Sequence, residues 1–478
     1  MKFRKQSPIA TMGQGGLNLH STAPSLGKRD TAERTLTRAQ VLAIGILVMG
    51  SVVGIWAGWS EFLIGVIGAM MMTYIIVLCY KSWVVYYSLK LGTIAVTDQE
   101  LRQLKDEELP DYSVLVPLYK EAGMISLLIG RLLQLDYPRN KLQILLLIEA
   151  DDYETVQKVN SIGLPSHFEA VEIPPSEPRT KPKACNIGLA RARGEYCVIY
   201  DAEDRPEPDQ LRKAVAAFRK SSDEVVCIQA KLQFWNPDTN LLTKFFAAEY
   251  ITYFNLVLPG FATLGLPVPL GGTSNHFRLK ALRQMGGWGA FNVTEDLDLG
   301  MWLARRRLQV RMMDSVTWEE ANSRLSSWLR QRSRWIKGHM QTYLIHMRSP
   351  RKLLKDLGIV NFLSFQIIVG ATPLMRLVNP IFWASTVAYA IGGQSWIENL
   401  YPRPILYFGV VSMVFGNFIL VYYVMTGCII DGQYRNVKLM LLSPPLLGVH
   451  EHCSMEGIVP ANPQTTPLGE NSARSGAS

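Results

Sequence analysis

The sequence predicts an α/β domain with a mostly parallel sheet, inserted between amino-terminal and carboxy-terminal transmembrane α-helices. Two observations carry this expectation. From Ala39 to Tyr80 the only charged residue is Glu61. As helix, that run is long enough for two passes through a ~30 Å hydrocarbon core at ~1.5 Å per residue. Between about residues 95 and 320, short β-rich runs alternate with amphipathic helical stretches. That alternation argues for a parallel sheet with helices on both faces.

The elements follow in order. Residues 1–38 are rich in Gly, Ser, Thr and Pro and are expected to be a disordered cytoplasmic segment. Residues 39–80 form two transmembrane helices that turn at Gly58-Trp59-Ser60-Glu61. The apolar run begins too late and is too long for a removable signal peptide. Lys and Arg precede the first helix and are absent from the turn. The excess of positive charge on the inner side therefore puts the middle section in the cytoplasm, against an inner or plasma membrane. Within residues 95–320 the strand candidates are Tyr112–Pro117, Leu142–Ile148, Tyr196–Tyr200 and Glu224–Gln229, with helices over Glu121–Leu135 and Gln210–Lys220. Residues 321–350 mix Leu325, Trp328, Leu329, Trp335, Ile336, Met340, Tyr343 and Leu344 with Arg and Lys, as an amphipathic helix in the membrane interface does. Three uncharged runs, Leu357–Met375, Leu377–Ile397 and Pro404–Ile430, can each cross once.

Residues 446–478 change character, and 450–478 contain no Phe, Trp or Tyr. They are expected to be a disordered tail. The alternative is a shifted reading frame near Pro445, because suitable codons read in a neighbouring frame restore an apolar, aromatic segment. The net charge of +9 comes from dispersed basic residues, and no nucleic-acid-binding module is recognisable, so no nucleic-acid partner is expected. The six cysteines have no metal-ligand spacing and read as reduced, packed thiols.

The chemistry is carried by acidic residues just past the strands. Asp201 and Glu203, at i and i+2 after an apolar strand, can reach one ion. Hard oxygen ligands suit Mg²⁺ or Mn²⁺, a diphosphate can complete the coordination, and the cation offsets charge on a departing nucleoside diphosphate. Asp204 competes with Glu203 as second ligand, and a solvated acidic turn is the bland alternative. Gly271-Gly272-Thr273 allows close backbone approach to a ligand. Thr294-Glu295-Asp296 opens a helix with Thr294 as N-cap, and the helix dipole alone would favour acids there. Asp298 reads as a helix-surface residue and His276 as structural. In Gln331-Arg332-Ser333-Arg334-Trp335, Arg334 can grip a diphosphate with its planar fork, Trp335 can carry a sugar ring, and Gln331 can donate a hydrogen bond.

The order of these clusters resembles the processive glycosyltransferase family 2 enzymes, such as the bacterial cellulose synthase catalytic subunit and the hyaluronan and chitin synthases. The similarity covers roughly residues 110–340. It rests on Val116-Pro117-Leu118-Tyr119-Lys120-Glu121, Asp151, Lys183-Ala184-Cys185-Asn186, Asp201-Ala202-Glu203 where the family usually has Asp-x-Asp, Thr294-Glu295-Asp296 and the Gln-x-x-Arg-Trp motif. The resemblance implies a GT-A fold. It implies Pro117, Tyr119 and Glu121 around base and ribose, Asp151 on uracil, Lys183 near the diphosphate and Asn186 fixing its loop. Gly272 and Thr273 would line the acceptor site. Glu295 and Asp296 would form the catalytic pair, with Asp296 as general base of an inverting transfer. The implied partners are a UDP-sugar donor (glucose or N-acetylglucosamine favoured), a growing polysaccharide or glycan acceptor, the lipid bilayer, and export or accessory subunits. The alternatives are a non-processive transferase to a lipid carrier and a nucleotide-binding transporter or scaffold. No region resembles a cyclic-di-GMP sensor barrel.

Overall fold

A computed structural model of the chain describes residues 9–10, 31–375 and 403–442. One mixed sheet of nine strands dominates the middle section, in the order β1-β4-β3-β2-β5-β8-β7-β9-β6. The strands are β1 (Ile9–Ala10), β2 (Tyr112–Leu118), β3 (Leu142–Glu149), β4 (Phe168–Ile173), β5 (Tyr196–Ile199), β6 (Arg205–Pro206), β7 (Val225–Phe234), β8 (Asn275–Arg278) and β9 (Gln309–Glu319). β2 is parallel to β3 from Tyr112↔Leu142 to Leu118↔Ile148, and parallel to β5 on its other side. β8 runs antiparallel between β5 and β7, and β9 is parallel to β7. The carboxyl ends of β2, β3, β5, β7 and β9 therefore share one edge. The strand order reverses between β2 and β5, which is where an open α/β sheet leaves a crevice for ligands.

Period-two alternation explains why these runs are strands. Leu115, Leu145 and Leu147 point into one buried cluster, and Val114, Val116, Ile144, Leu146 and Ile148 into another. The first cluster is closed by helices Lys181–Arg191 (α5) and Glu295–Arg305 (α10), the second by Ile125–Leu132 (α3) and Gln210–Arg219 (α6). Such strands, buried on both faces, read as near-continuous apolar runs and are legible. β8 carries His276 and Arg278 in four residues, too short and too polar to show a period. β1 adds to the free edge of β4, inside a segment expected to be disordered. Helices α2 (Asp98–Gln103), α4 (Tyr153–Ser161), α7 (Leu241–Thr252), α8 (Leu258–Thr263) and α9 (Leu279–Met285) complete the domain.

Among the described residues, three helices are long and apolar enough to cross a membrane: Arg38–Leu91 (α1), Pro350–Met375, which begins with α12 (Pro350–Phe365), and Tyr407–Ile430 in α13 (Arg403–Ile430). α1 leaves helical geometry at Gly58 (φ −179°, ψ 91°), at the expected turn, and Phe62 folds back against Gly54. Its second leg continues past Tyr80 to Leu91, because Val84 and Val85 are buried and the Val84 carbonyl fits against Gly260 of α8. α12 breaks at Gly358, where φ is 73°, a conformation that suits glycine. The expected span 377–397 and the tail 446–478 lie outside the described residues.

Helix α11 spans Leu325–His346. Leu325 and Met340 are exposed, but Trp328, Ile336 and Ile345 pack into the protein. Trp328 and Trp335 face Phe234 and Phe246 of the domain, and Tyr343 stacks on Phe365.

Candidate functional site

The crevice is lined from the ends of three parallel strands. After β2 the chain turns through Lys120 (φ 58°), whose N–H donates to Asp152 at 2.5 Å, and the Glu121 N–H donates to Thr155 Oγ1 at 3.2 Å. Pro117 and Tyr119 are half-buried at this turn. Asp152 also caps α4, accepting from the Thr155 N–H at 3.3 Å, so both sides of the turn are fixed by one carboxylate. After β3, Asp151 pairs with the half-exposed Arg179, and its Oδ1 is buried without a partner.

After β5 stands the acidic cluster. Lys181 Nζ lies 2.6 Å from Asp201 Oδ1 and 2.8 Å from the carbonyl of Gly272. A Cβ added to Gly272 would sit 3.5 Å from Asp296 Oδ2. Asp201, Lys181, Gly272 and Asp296, distant in sequence, thus meet in one place. Asp204 turns inward: it is buried, accepts from the Asp201 N–H at 2.7 Å and from Thr273 Oγ1, and is pushed up to about 7 by burial and by Asp201. Thr273 also donates to the Ile199 carbonyl at 3.0 Å, so it is committed to holding this loop. Glu203 is pushed up to about 8 by burial and by Asp201 and Asp204, and Glu121 to about 7 by burial and Asp201. Glu319, at the end of β9, is raised well above its ordinary range by burial and then by Asp204 and Glu203. Burial alone would lower Lys181, but Asp201 and Glu295 outweigh it and hold the ammonium above its usual range.

This surplus of acid over base makes the edge a candidate cation site. Among the described residues no three His, Cys, Asp or Glu side chains converge to cage an ion on their own. Asp201, with Glu203 or Asp204 beside it, is the candidate donor set: Asp204 spends Oδ2 on the loop, but its Oδ1 is buried without a partner.

Glu295 and Asp296 occupy the first turn of α10. Burial raises both, Glu295 to about 7, and the Leu297 N–H at 2.7 Å partly offsets the rise for Asp296. Thr294 stands at the N-cap but makes no side-chain cap bond: its side chain is buried against Gly338 of α11. Close helix crossing, made possible by that glycine, displaces the expected cap. Asp298 is not a surface residue. It is buried and accepts from His346 Nε2 at 2.9 Å. His276 is buried between the Tyr112 hydroxyl at 2.6 Å and Gln210 at 3.3 Å, and burial lowers it to about 3, as a structural imidazole requires.

Lys183 is committed to the end of β3 and not to Asp201. It is buried in an ion pair with Glu149 at 3.0 Å, with the carbonyls of Pro174 and Ser176 nearby. Lys181 and Lys183 are two residues apart near the start of α5, so they leave the helix about 200° apart and only one can face the site. Asn186 donates to the Trp288 carbonyl at 2.8 Å and accepts from the Trp288 N–H at 2.9 Å, bracing the loop after α9. On α11 the same spacing separates Arg334, which is exposed, from Arg332, which is buried. Arg332 forms a two-pronged pair with Glu249, one arm at 3.0 Å, and lies 4.7 Å from the ring centres of Phe246 and Trp335. Trp335 therefore packs on Arg332 and Tyr250, and Gln331 accepts from Asn322 at 3.0 Å. Lys181, Glu319 and Arg332 do not stand out in the sequence. The only signal for Lys181 is a second lysine beside the expected one.

Residues 196–427 match the family model described as glycosyl transferase family group 2. That match covers just under half of the chain. Among curated proteins, it is 26% identical over 262 residues to the "Probable glycosyltransferase YdaM" of Bacillus subtilis (strain 168), covering 54% of this chain and 62% of that one. It is 27% identical over 252 residues to "Glucomannan 4-beta-mannosyltransferase 2" of Arabidopsis thaliana, covering 49% of this chain and 46% of that protein. The chain thus spans only about half to three fifths of these relatives' length. Among solved structures, a mannosyltransferase from Pyrobaculum calidifontis in complex with GDP-Man and Mn²⁺ aligns with a TM-score of 0.53 at 18% identity, over 82% of this chain and 98% of that one. The fold is GT-A-like, with a mostly parallel sheet.

Proposed function

We propose that this chain moves a sugar from a nucleoside-diphosphate donor to a hydroxyl of a glycan acceptor, with inversion, at a membrane surface. The observation that carries the reading is the meeting of Lys181, Asp201, the Gly272 backbone and Asp296 at the carboxyl edge of the sheet. Asp296, its basicity raised by burial, takes the proton of the acceptor hydroxyl as that oxygen bonds to the anomeric carbon. The bond from the anomeric carbon to the diphosphate oxygen breaks, and the nucleoside diphosphate leaves with the electron pair. Lys181 faces the leaving phosphates as a point charge. A divalent ion, Mg²⁺ or Mn²⁺, held by Asp201 and Glu203 would supply further positive charge there. Pro117, Tyr119, Glu121 and Asp151, at the ends of β2 and β3, are assigned to the nucleoside. Arg334, exposed on α11, is assigned to the diphosphate, Trp335 to a sugar ring and Gln331 to a hydrogen bond beside them.

The three apolar helices support a membrane setting. Leu42, Ile46, Leu47 and Trp56 on the first leg of α1 are exposed, as lipid-facing residues are. A growing polysaccharide is the favoured acceptor. UDP-glucose and UDP-N-acetylglucosamine are the first donors to try. A mannosyl donor is a second reading, favoured by the activity in the Arabidopsis relative's name.

The test is radiolabel transfer by purified protein in lipid, with Mg²⁺ or Mn²⁺, from a panel of UDP- and GDP-sugars, resolved by product size. A long product from one donor is expected. Short lipid-linked products would replace the polysaccharide reading with single transfer. Donor binding without any turnover would support the scaffold reading instead.

A further inference from the structure

We propose that His346 is a positioning residue that locks the helix bearing Asp296 to the Gln-x-x-Arg-Trp helix and to the first carboxy-terminal membrane helix. The inference rests on the transferase reading for its consequence, though not for its geometry.

The lock is a continuous polar chain across three helices. Asp298 leaves α10 about 200° away from Asp296, facing the protein interior. It accepts from His346 Nε2 at 2.9 Å, and both side chains are almost fully buried. His346 is the last residue of α11. Its Nδ1 lies 3.3 Å from Arg305 Nη1, at the other end of α10. A guanidinium only donates, so Nδ1 accepts and the ring proton sits on Nε2, where it meets Asp298. One imidazole tautomer therefore satisfies both neighbours. Arg305 then binds Asp356 of α12 through Nε at 3.0 Å and Nη2 at 2.7 Å. Trp302 packs on this chain, 4.8 Å from the His346 ring at a 47° tilt and 4.3 Å from the Arg305 guanidinium.

A second set of contacts fixes the loop entering α10 to the same face of α11. Asn292 donates to Thr342 at 3.0 Å, the Val293 N–H donates to Gln341 at 3.3 Å, and Thr294 lies on Gly338. The first turn of α10 thus has no support of its own cap. Its place relative to Arg334 and Trp335 is set by α11, and His346 ties off the far end. A misplacement of about 1 Å in a catalytic group can cost about 100-fold in rate.

The experiment compares His346→Leu, which keeps bulk, with His346→Gln, which can still donate to Asp298. Transfer kinetics, donor affinity and hydrogen exchange over residues 294–299 are read together. In His346→Leu, kcat is expected to fall about 10- to 100-fold with donor affinity unchanged, while exchange over that segment rises. His346→Gln is expected to restore both to near wild type. Unchanged exchange in the leucine variant overturns the lock. A loss shared equally by donor affinity and by exchange across the whole sheet also overturns it, because it shows general damage. If wild type transfers no sugar but exchange responds as described, the transferase reading fails and the lock stands.

Discussion

The crevice edge and the junction of α10, α11 and α12 are both rich in charge, yet they are built in opposite ways. At the junction, Asp298, Arg305 and Asp356 each face a partner within hydrogen-bond distance. At the edge, acids crowd one another: Glu121, Glu203, Asp204, Glu295, Asp296 and Glu319 are all raised, chiefly by burial. Burying so many acids together is costly, which makes this edge the candidate ligand site. A polar network with its partners in place holds helices together; one with charge left over waits for a ligand.

The contrast can be broken by experiment. The largest effect is expected from Asp296→Asn, which should lower kcat about 10²- to 10⁴-fold while calorimetric donor binding and melting temperature stay near wild type. Retained transfer would remove Asp296 as the base. Next, chelation of divalent ions, or Asp201→Asn, is expected to remove donor binding and transfer together while the fold survives. Full transfer in chelator would separate the acidic cluster from metal binding.

The two lysines sharpen the comparison. Lys183→Met leaves Glu149 buried without its cation, and losing one partner of a buried pair costs about 3–5 kcal/mol. Its melting temperature should fall clearly. Lys181→Met should instead raise the donor KM with little change in melting. The reverse outcome would exchange their roles. The smallest effect is on pH. Asp296 must be ionised to accept a proton, so transfer falls as pH drops through its raised pKa. The acid limb of the kcat profile should lie above the ~3.9 of an ordinary aspartate. A limb at or below that value would show that burial does not tune this carboxylate.

Much of the domain is legible in the amino-acid order alone. The apolar run to Tyr80, the buried strands at Tyr112, Leu142 and Tyr196, and the acids that follow two of them are local features, set by composition and period. Strand ends point at ligands in this architecture, so Asp151 and Asp201 fall on the crevice wherever the sheet forms. What sequence leaves undecided is which member of a closely spaced pair faces the site. Lys181 and Lys183, Asp296 and Asp298, and Arg332 and Arg334 are each two residues apart on a helix. Such neighbours point in nearly opposite directions, and only the packing of that helix decides which one meets the crevice and which the core. In the same way, the capping power of Thr294 is lost to Gly338, a contact from a helix far away in sequence. Local chemistry names the residues; the orientation of each helix, fixed by long-range packing, assigns their tasks.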